Sequence, residues 1–355
     1  MKKNFVLIAV AVAISLCIAE ILLRITGTGT TFTEKREGVF INPAARLQTT
    51  WYAVWPPHFH LQFNTSEFNY SRVTNAEGLS DTEWSIQKAP NEIRIMTLGD
   101  SYTEGEGCSY DSTYPKLLEG LLQKEFSGAT IHVMNAGHCG SDPWFEYKKF
   151  TDRLLKYKPD IVLYTNGSND LAFDHLYLGG MERFMPDSTI KNQLPNPSWL
   201  RCYQWSYVCR AVATAAGFDE TLLSSKHRQN DLPKAVQDSR LVSRSFSSLA
   251  VKNNFSCLQI IRVDRGDIYD GYPFAIAQLT AGNDRLPNYN DVNLLPYYID
   301  SIHISPKNMQ QYYWPVNGHH TPKGYAIMAQ AVLEAVKKEV AKKLVLLSST
   351  EKQFK

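Results

Sequence analysis

Ile93-Arg94-Ile95-Met96-Thr97-Leu98 is a run of strand-forming residues that ends abruptly at Gly99-Asp100-Ser101. A short apolar run of this kind, bounded by a turn signal, reads as a strand buried on both faces. Comparable runs recur at Ile131-His132-Val133-Met134, at Ile161-Val162-Leu163-Tyr164 and over residues 258–263. Helical patterns separate or follow them. Residues 114–126 put Leu117, Leu118, Leu121 and Leu122 on one face, and residues 144–157 keep Phe150, Leu154 and Tyr157 in phase. Residues 239–253 form a further helix, and residues 325–344 a last one with Met328, Val332, Ala335, Val336 and Val340 aligned. Strands alternating with amphipathic helices predict an α/β fold of three layers, a parallel sheet with helices on both faces.

In such a sheet the ligand site lies beyond the carboxyl ends of the strands. The first strand ends in Gly99-Asp100-Ser101, the second in Asn135-Ala136-Gly137-His138-Cys139-Gly140, and the third in Asn166-Gly167-Ser168-Asn169-Asp170. Small and amide residues stand at all three. A serine on a rigid strand end can act as a nucleophile when a base and oxyanion donors are beside it. Taken singly, each feature has a plainer reading: Gly-Asp-Ser as a helix-capping turn, Gly140 as a turn glycine and Asn169 as a helix cap. The segment is not the G-x-S-x-G elbow, because Gly99-Asp100-Ser101-Tyr102-Thr103 lacks the second Gly. Nor is it a phosphate-binding loop, since no Gly-Lys-Ser/Thr follows.

Thirty-seven Lys and Arg nearly balance 35 Asp and Glu, so no overall field or basic tract points to nucleic acid. Cys17 lies in the first apolar segment, and the other five cysteines, Cys108, Cys139, Cys202, Cys209 and Cys257, lack the close spacing of a zinc site. No metal or organic cofactor is expected. In an oxidising compartment Cys202 can pair with Cys209 and Cys108 with Cys139; the alternative is a reduced, mostly buried set.

Met1-Lys2-Lys3-Asn4 precedes residues 5–23, apolar apart from Ser15, Cys17 and Glu20. As a helix this stretch spans roughly 28 Å, enough to cross a bilayer. Ala19-Glu20-Ile21-Leu22-Leu23-Arg24 fits a signal-peptidase site poorly, and Leu16 is too bulky for a lipoprotein acylation site at Cys17. The expectation is an uncleaved signal anchor over residues 1–26, with its amino end cytoplasmic and the remaining chain extracytoplasmic, on the periplasmic or outer face. Residues 27–90 read as a linker followed by a strand-rich arm. Residues 91–347 form the main domain, with insertions at about 171–238 and 265–318 that can wall a cleft or serve as satellite structure.

Together the motif blocks resemble the SGNH (GDSL) hydrolase superfamily of serine esterases, lipases and carbohydrate acyl esterases. Gly99-Asp100-Ser101 resembles the nucleophile block, Gly140 the Gly of the second, Gly167-Ser168-Asn169-Asp170 the third, and His319 the histidine before the last helix. Thr74-Asn75-Ala76-Glu77-Gly78-Leu79-Ser80-Asp81 resembles the arm of membrane-anchored bacterial members. The resemblance runs from about residue 68 to the last helix, and neither insertion is matched.

It implies an SGNH/flavodoxin-like fold, Ser101 as nucleophile, and an oxyanion hole from Ser101 N–H, Gly140 N–H and the Asn169 side chain. His319 is the implied base, acting on an acyl ester of an envelope carbohydrate or lipid, with an O-acetyl group favoured. The family places an Asp two or three residues ahead of that His, where this chain has Val316 and Asn317. Either Ser101 and His319 work as a dyad, with Asn317 or a backbone carbonyl orienting the ring, or the acid comes from elsewhere. Asp300-Ser301-Ile302-His303 keeps the Asp-x-x-His spacing, which makes His303 the rival base with Asp300 behind it. Two other functions stay open on these residues: acyl transfer to a glycan hydroxyl, and a catalytically impaired glycan-binding or scaffold protein, motivated by Asn317.

Overall fold

The computed structural model describes residues 2–26, 55–167, 202, 205–216, 232–270 and 279–353. Helix α1 (Lys2–Thr26) leads the chain. A hairpin of β1 (His60–Asn64) and β2 (Asn69–Val73) follows, and then β3 (Glu92–Gly99). A single helical turn, α2 (Ser101–Glu104), comes next, with α3 (Tyr114–Glu125), β4 (Thr130–Gly137) and α4 (Pro143–Lys149) after it. The helix expected over 144–157 divides after Lys149 into a wider π turn and a tighter 3-10 turn. The remaining elements are β5 (Ile161–Asn166), α5 (Tyr207–Ala215), α6 (Leu232–Asn253), β6 (Ser256–Ile261), α7 (Arg265–Asp270), β7 (Tyr289–Asn293) and α8 (Pro322–Gln353).

The five main-domain strands form one parallel sheet in the order β4-β3-β5-β6-β7. Strand alternation sorts the side chains into two cores. Ile93, Ile95, Ile161 and Leu163 join Leu118 and Leu122 of α3 and Met328, Val332, Val336 and Val340 of α8. Met96, Leu98, Val162 and Tyr164 join Phe145 of α4 and Val242 and Phe246 of α6 on the other face. Tyr164 and Phe246 stack with ring centres 4.5 Å apart, and burying each such ring contributes about 1.5–3 kcal/mol. These two cores make the architecture a three-layer α/β/α sandwich. Strand β7 falls inside the stretch expected to be an insertion at 265–318. Its sequence, Tyr289-Asn290-Asp291-Val292-Asn293, hides it because an edge strand with only its first residue buried needs few apolar side chains.

The opposite edge is β4, and side chains occupy its outward amides. Ile131 N–H donates to Gln123 Oε1 (3.1 Å), Val133 N–H to Glu119 Oε2 (2.7 Å) and Asn135 N–H to Asp81 Oδ2 (2.7 Å). Asp81 belongs to the arm, so the arm is fastened to the sheet edge. Burial pushes its carboxyl pKa up, against the pull of nearby Lys116 and the hydroxyl of Tyr110. Arg72 of β2 fastens the arm a second time, donating to the carbonyls of Glu104 (2.5 Å), Gly105 and Cys108 (2.6 Å) just after α2.

Helix α1 is the one described helix long and apolar enough to cross a membrane. The polar residue in its apolar run has a use: Glu20 accepts from Ser206 Oγ (2.9 Å), Tyr207 N–H (3.0 Å) and Val208 N–H (2.9 Å). A carboxylate from one helix thus caps the amino end of α5, where N–H groups have no intrahelical acceptor. All six cysteines are free thiols, so neither the Cys202–Cys209 nor the Cys108–Cys139 pair is bonded. Most of the insertion at 171–238 and the linker from residue 27 lie outside the described residues.

Candidate active site

Strand β3 delivers Ser101 to the carboxyl edge of the sheet. Asp100 caps the turn that follows, its carboxylate accepting from Tyr102 N–H at 3.0 Å. Gly105, at φ 91°, ends α2 in the left-handed conformation, and both Gly105 and Glu106 N–H groups return to the Ser101 carbonyl. This αL ending is a position where glycine avoids a Cβ penalty. It also turns Glu106 back towards Ser101. The fit is tight on the β4 side as well, because a Cβ on Gly137 would stand 2.2 Å from Glu104 N and 2.5 Å from Thr103 C.

Ser101 Oγ lies 2.6 Å from His319 Nε2. The histidine sits on a loop closed by Gly318 N–H to Trp314 O (2.9 Å) and Trp314 N–H to His319 O (2.8 Å), immediately before α8. The Tyr102 ring lies 4.6 Å from the imidazole, and its hydroxyl donates to Gly318 O at 3.1 Å. The arm reaches this loop too. Glu67, in the β1–β2 turn, accepts from Val316 N–H (2.8 Å) and Asn317 N–H (2.7 Å). Behind the ring, His319 Nδ1 lies 2.7 Å from Asn317 Oδ1, and Asn317 Nδ2 donates to Glu106 Oε1 at 2.8 Å. Glu106 Oε1 is itself 3.7 Å from His319 Nδ1.

Among the described residues, the N–H groups of Ser101 and Gly140 have no protein acceptor. Gly140, at φ 74°, has open space where a side chain would stand. Its loop is held from beneath by Glu104, which accepts from Cys139 N–H (2.6 Å), Ser80 Oγ (3.1 Å) and Trp55 Nε1 (3.1 Å). Asn169, the third expected donor, lies outside the described residues. His303 and Asp300 are exposed on the segment after β7 and make no hydrogen bond to Ser101, whose partner is His319.

His320 and His138 serve the core. His320 bonds to the Tyr312 carbonyl (3.2 Å) and the Tyr298 hydroxyl (3.1 Å), and burial pulls its pKa down to about 3. His138 stacks on Phe145 with centres 6.2 Å apart, and burial pulls it down to about 4.

Sequence reasoning missed Arg262, Glu67 and Glu106. Arg262 follows β6 and is fully buried. It donates to Asp100 Oδ2 at 2.9 Å and to Asp264 Oδ1, and its guanidinium lies 4.3 Å from the Tyr102 ring centre. Gly167 is a glycine for this reason: a Cβ there would meet Arg262 Cζ at 2.7 Å. The usable signal was a charged residue between the apolar residues Ile261 and Val263 at a strand end. No titratable cluster suited to a metal occurs among the described residues.

A serine hydroxyl beside an imidazole, with two unbonded N–H groups at neighbouring strand ends, can form an acyl-enzyme and hold an oxyanion. In sequence, residues 97–183 match the model of the GDSL-like lipase/acylhydrolase family. No curated protein matches the chain. Among solved structures, the chain resembles a two-domain esterase active on acetylated mannans (14% identity, TM-score 0.40), with 71% of this chain and 50% of that one covered. It therefore spans about half the length of that protein. It also resembles an acetyl-xylooligosaccharide esterase from Geobacillus stearothermophilus (15%, TM-score 0.44; 72% and 96% covered). An α/β hydrolase from the metagenome of Lake Arreo, Spain, is similar at 14% identity and TM-score 0.42, with 72% and 99% covered.

Proposed function

We propose that the chain is a membrane-anchored serine esterase of the SGNH (GDSL) superfamily using Ser101 and His319, a reading supported by the match of residues 97–183 to the GDSL-like lipase/acylhydrolase family. The observation that carries this reading is the 2.6 Å contact between Ser101 Oγ and His319 Nε2. Ser101 Oγ attacks the ester carbonyl carbon while its proton passes to Nε2. The Ser101 and Gly140 N–H groups take the oxyanion, with the Asn169 amide as a third donor by family resemblance. Collapse breaks the carbon–oxygen bond to the alcohol, which leaves with the proton held by His319. Water then repeats the sequence on the acyl-enzyme, and the acid departs.

The substrate we propose is an acyl ester, short enough to be an O-acetyl group, on an envelope carbohydrate or lipid. Lys2 and Lys3 in the first turn of α1 favour a cytoplasmic amino end, which supports an esterase domain outside the cytoplasm. The test uses the full chain in detergent micelles with p-nitrophenyl acetate and a fluorophosphonate probe. Wild type should turn over and be labelled, and Ser101→Ala should lose both. Labelling or turnover that survives in Ser101→Ala refutes the reading.

A further inference from the structure

We infer that Glu106 supplies the carboxylate missing from the His319 loop, acting through Asn317 as a positioning residue. This rests on the esterase reading and says how the base of that site is held. A carboxylate only accepts hydrogen bonds, so the Asn317 group 2.8 Å from Glu106 Oε1 must be the Nδ2 amine. The amide oxygen is then committed to the other side, where it stands 2.7 Å from His319 Nδ1. An amide oxygen likewise only accepts, so Nδ1 carries the proton. The Nε2 lone pair is left facing Ser101 Oγ, as a general base requires.

Glu106 therefore does two separable things. It fixes which way Asn317 faces, and with it the tautomer of His319. It also sets a negative charge 3.7 Å from Nδ1, favouring the imidazolium formed when Ser101 is deprotonated. The chain brings Glu106 here because the left-handed Gly105 closes α2 and reverses the backbone four residues after the nucleophile. The carboxylate comes from the nucleophile's own loop, and motif spacing around the histidine cannot show it.

The other groups facing the imidazole do not duplicate that charge. Tyr102 presents its ring, His320 is buried and tied to the Tyr312 carbonyl, and Arg262, 4.3 Å from the Tyr102 ring centre, is paired with Asp100. Glu67 is engaged with the backbone of residues 316 and 317, and the Cys139 thiol lies 3.7 Å from Glu106 Oε2.

The experiment compares Glu106→Gln, Glu106→Met and the double variant Glu106→Gln/Asn317→Asp as full chains in detergent micelles. Each is assayed for kcat, KM and the pH dependence of kcat/KM with p-nitrophenyl acetate. The carbonyl oxygen of a glutamine at this position can still accept from Asn317 Nδ2, so Glu106→Gln removes only the charge. We expect kcat to fall about tenfold with KM nearly unchanged, and the acid limb of kcat/KM to move down by about one pH unit. Glu106→Met also frees the amide to turn over and present its donor to Nδ1, and kcat should fall on the order of a hundredfold or more. The double variant puts a carboxylate directly behind the ring and should recover most of the activity and the original acid limb.

A Glu106→Gln variant with wild-type kcat and acid limb overturns the inference. So does a loss of kcat with an unmoved acid limb and no recovery in the double variant, which would make Glu106 a packing residue. Should Glu106→Met fail to fold, the Gln and double variants alone decide. If turnover instead persists in Ser101→Ala, the esterase reading fails first, and that result is separate from any effect at Glu106.

Discussion

Replacing Arg262 by Met should destabilise the protein by about 3–5 kcal/mol at pH 8, the usual cost of stranding a buried charge by removing its partner. The guanidinium side chain is 1% exposed, and the carboxylates it joins, Asp100 and Asp264, are 12% and 6% exposed. Met fills much of the volume and restores neither bond, so two buried carboxylates lose the cation they share. Protonation can remove that charge, and the sign of the pH dependence follows. Lowering the pH should favour the folded variant relative to wild type, so the gap at pH 5 should be smaller than at pH 8. Function should suffer as well, because Asp100 caps the turn that carries Ser101. Losing its orientation should lower kcat at least about tenfold in molecules that remain folded. The measurement is urea unfolding of the full chain in micelles, followed by tryptophan fluorescence at the two pH values, with kcat measured below the transition. A loss under about 1 kcal/mol, or one equal at both pH values, would refute the argument that the ion triad is held by mutual need.

Gly137→Ala should displace α2, since the added Cβ meets the backbone of Thr103 and Glu104 well inside contact distance. We expect about 1–3 kcal/mol of destabilisation and a clear fall in kcat, and unchanged unfolding and turnover would contradict the packing described. His138 and His320 predict acid sensitivity. Their folded pKa values, about 4 and about 3, lie below the ordinary 6.5, so the unfolded chain binds more protons and stability falls as pH drops through that window. Asp291, pushed up to about 6 by burial, works in the opposite direction over part of the same range. The contribution of one histidine is isolated by comparing wild type with His138→Phe, where the stability gap should change by roughly 2 kcal/mol between pH 7.5 and pH 5. Parallel pH curves for the two proteins would rule it out.

The parts legible in the sequence were those whose signal is local. The run from Ile93 to Leu98 reads as a buried strand because its face-to-face burial leaves every position apolar or internally satisfied, and all eight residues of β3 are buried. Ser101 and His319, which the fold brings within 2.6 Å of each other, each stand in a motif block, one at a strand end and the other just ahead of a helix. Strand β7 was not legible, because its stability comes from pairing with β6 and not from its own side chains. Neither was Glu106. A carboxylate beside a nucleophile loop looks like any solvated acid until the αL turn at Gly105 and the position of Asn317, some two hundred residues away in sequence, are known together. Arg262 and Gly167 illustrate the same limit. Each explains the other only once β5 and β6 lie side by side.

The blocked edge of the sheet has a consequence under the proposal that α1 holds the chain in a bilayer. Tethering confines neighbouring copies to two dimensions with similar orientation, so open strand edges would meet one another far more often than in free solution. On the β4 side, Gln123, Glu119 and Asp81 already occupy the amides that another copy's strand would need. Two of those plugs are built into α3, but the third arrives on the arm. A protease nick that released the arm would therefore uncover a pairing template at Asn135 while leaving Ser101 and His319 in the chain, turning crowded copies towards self-association.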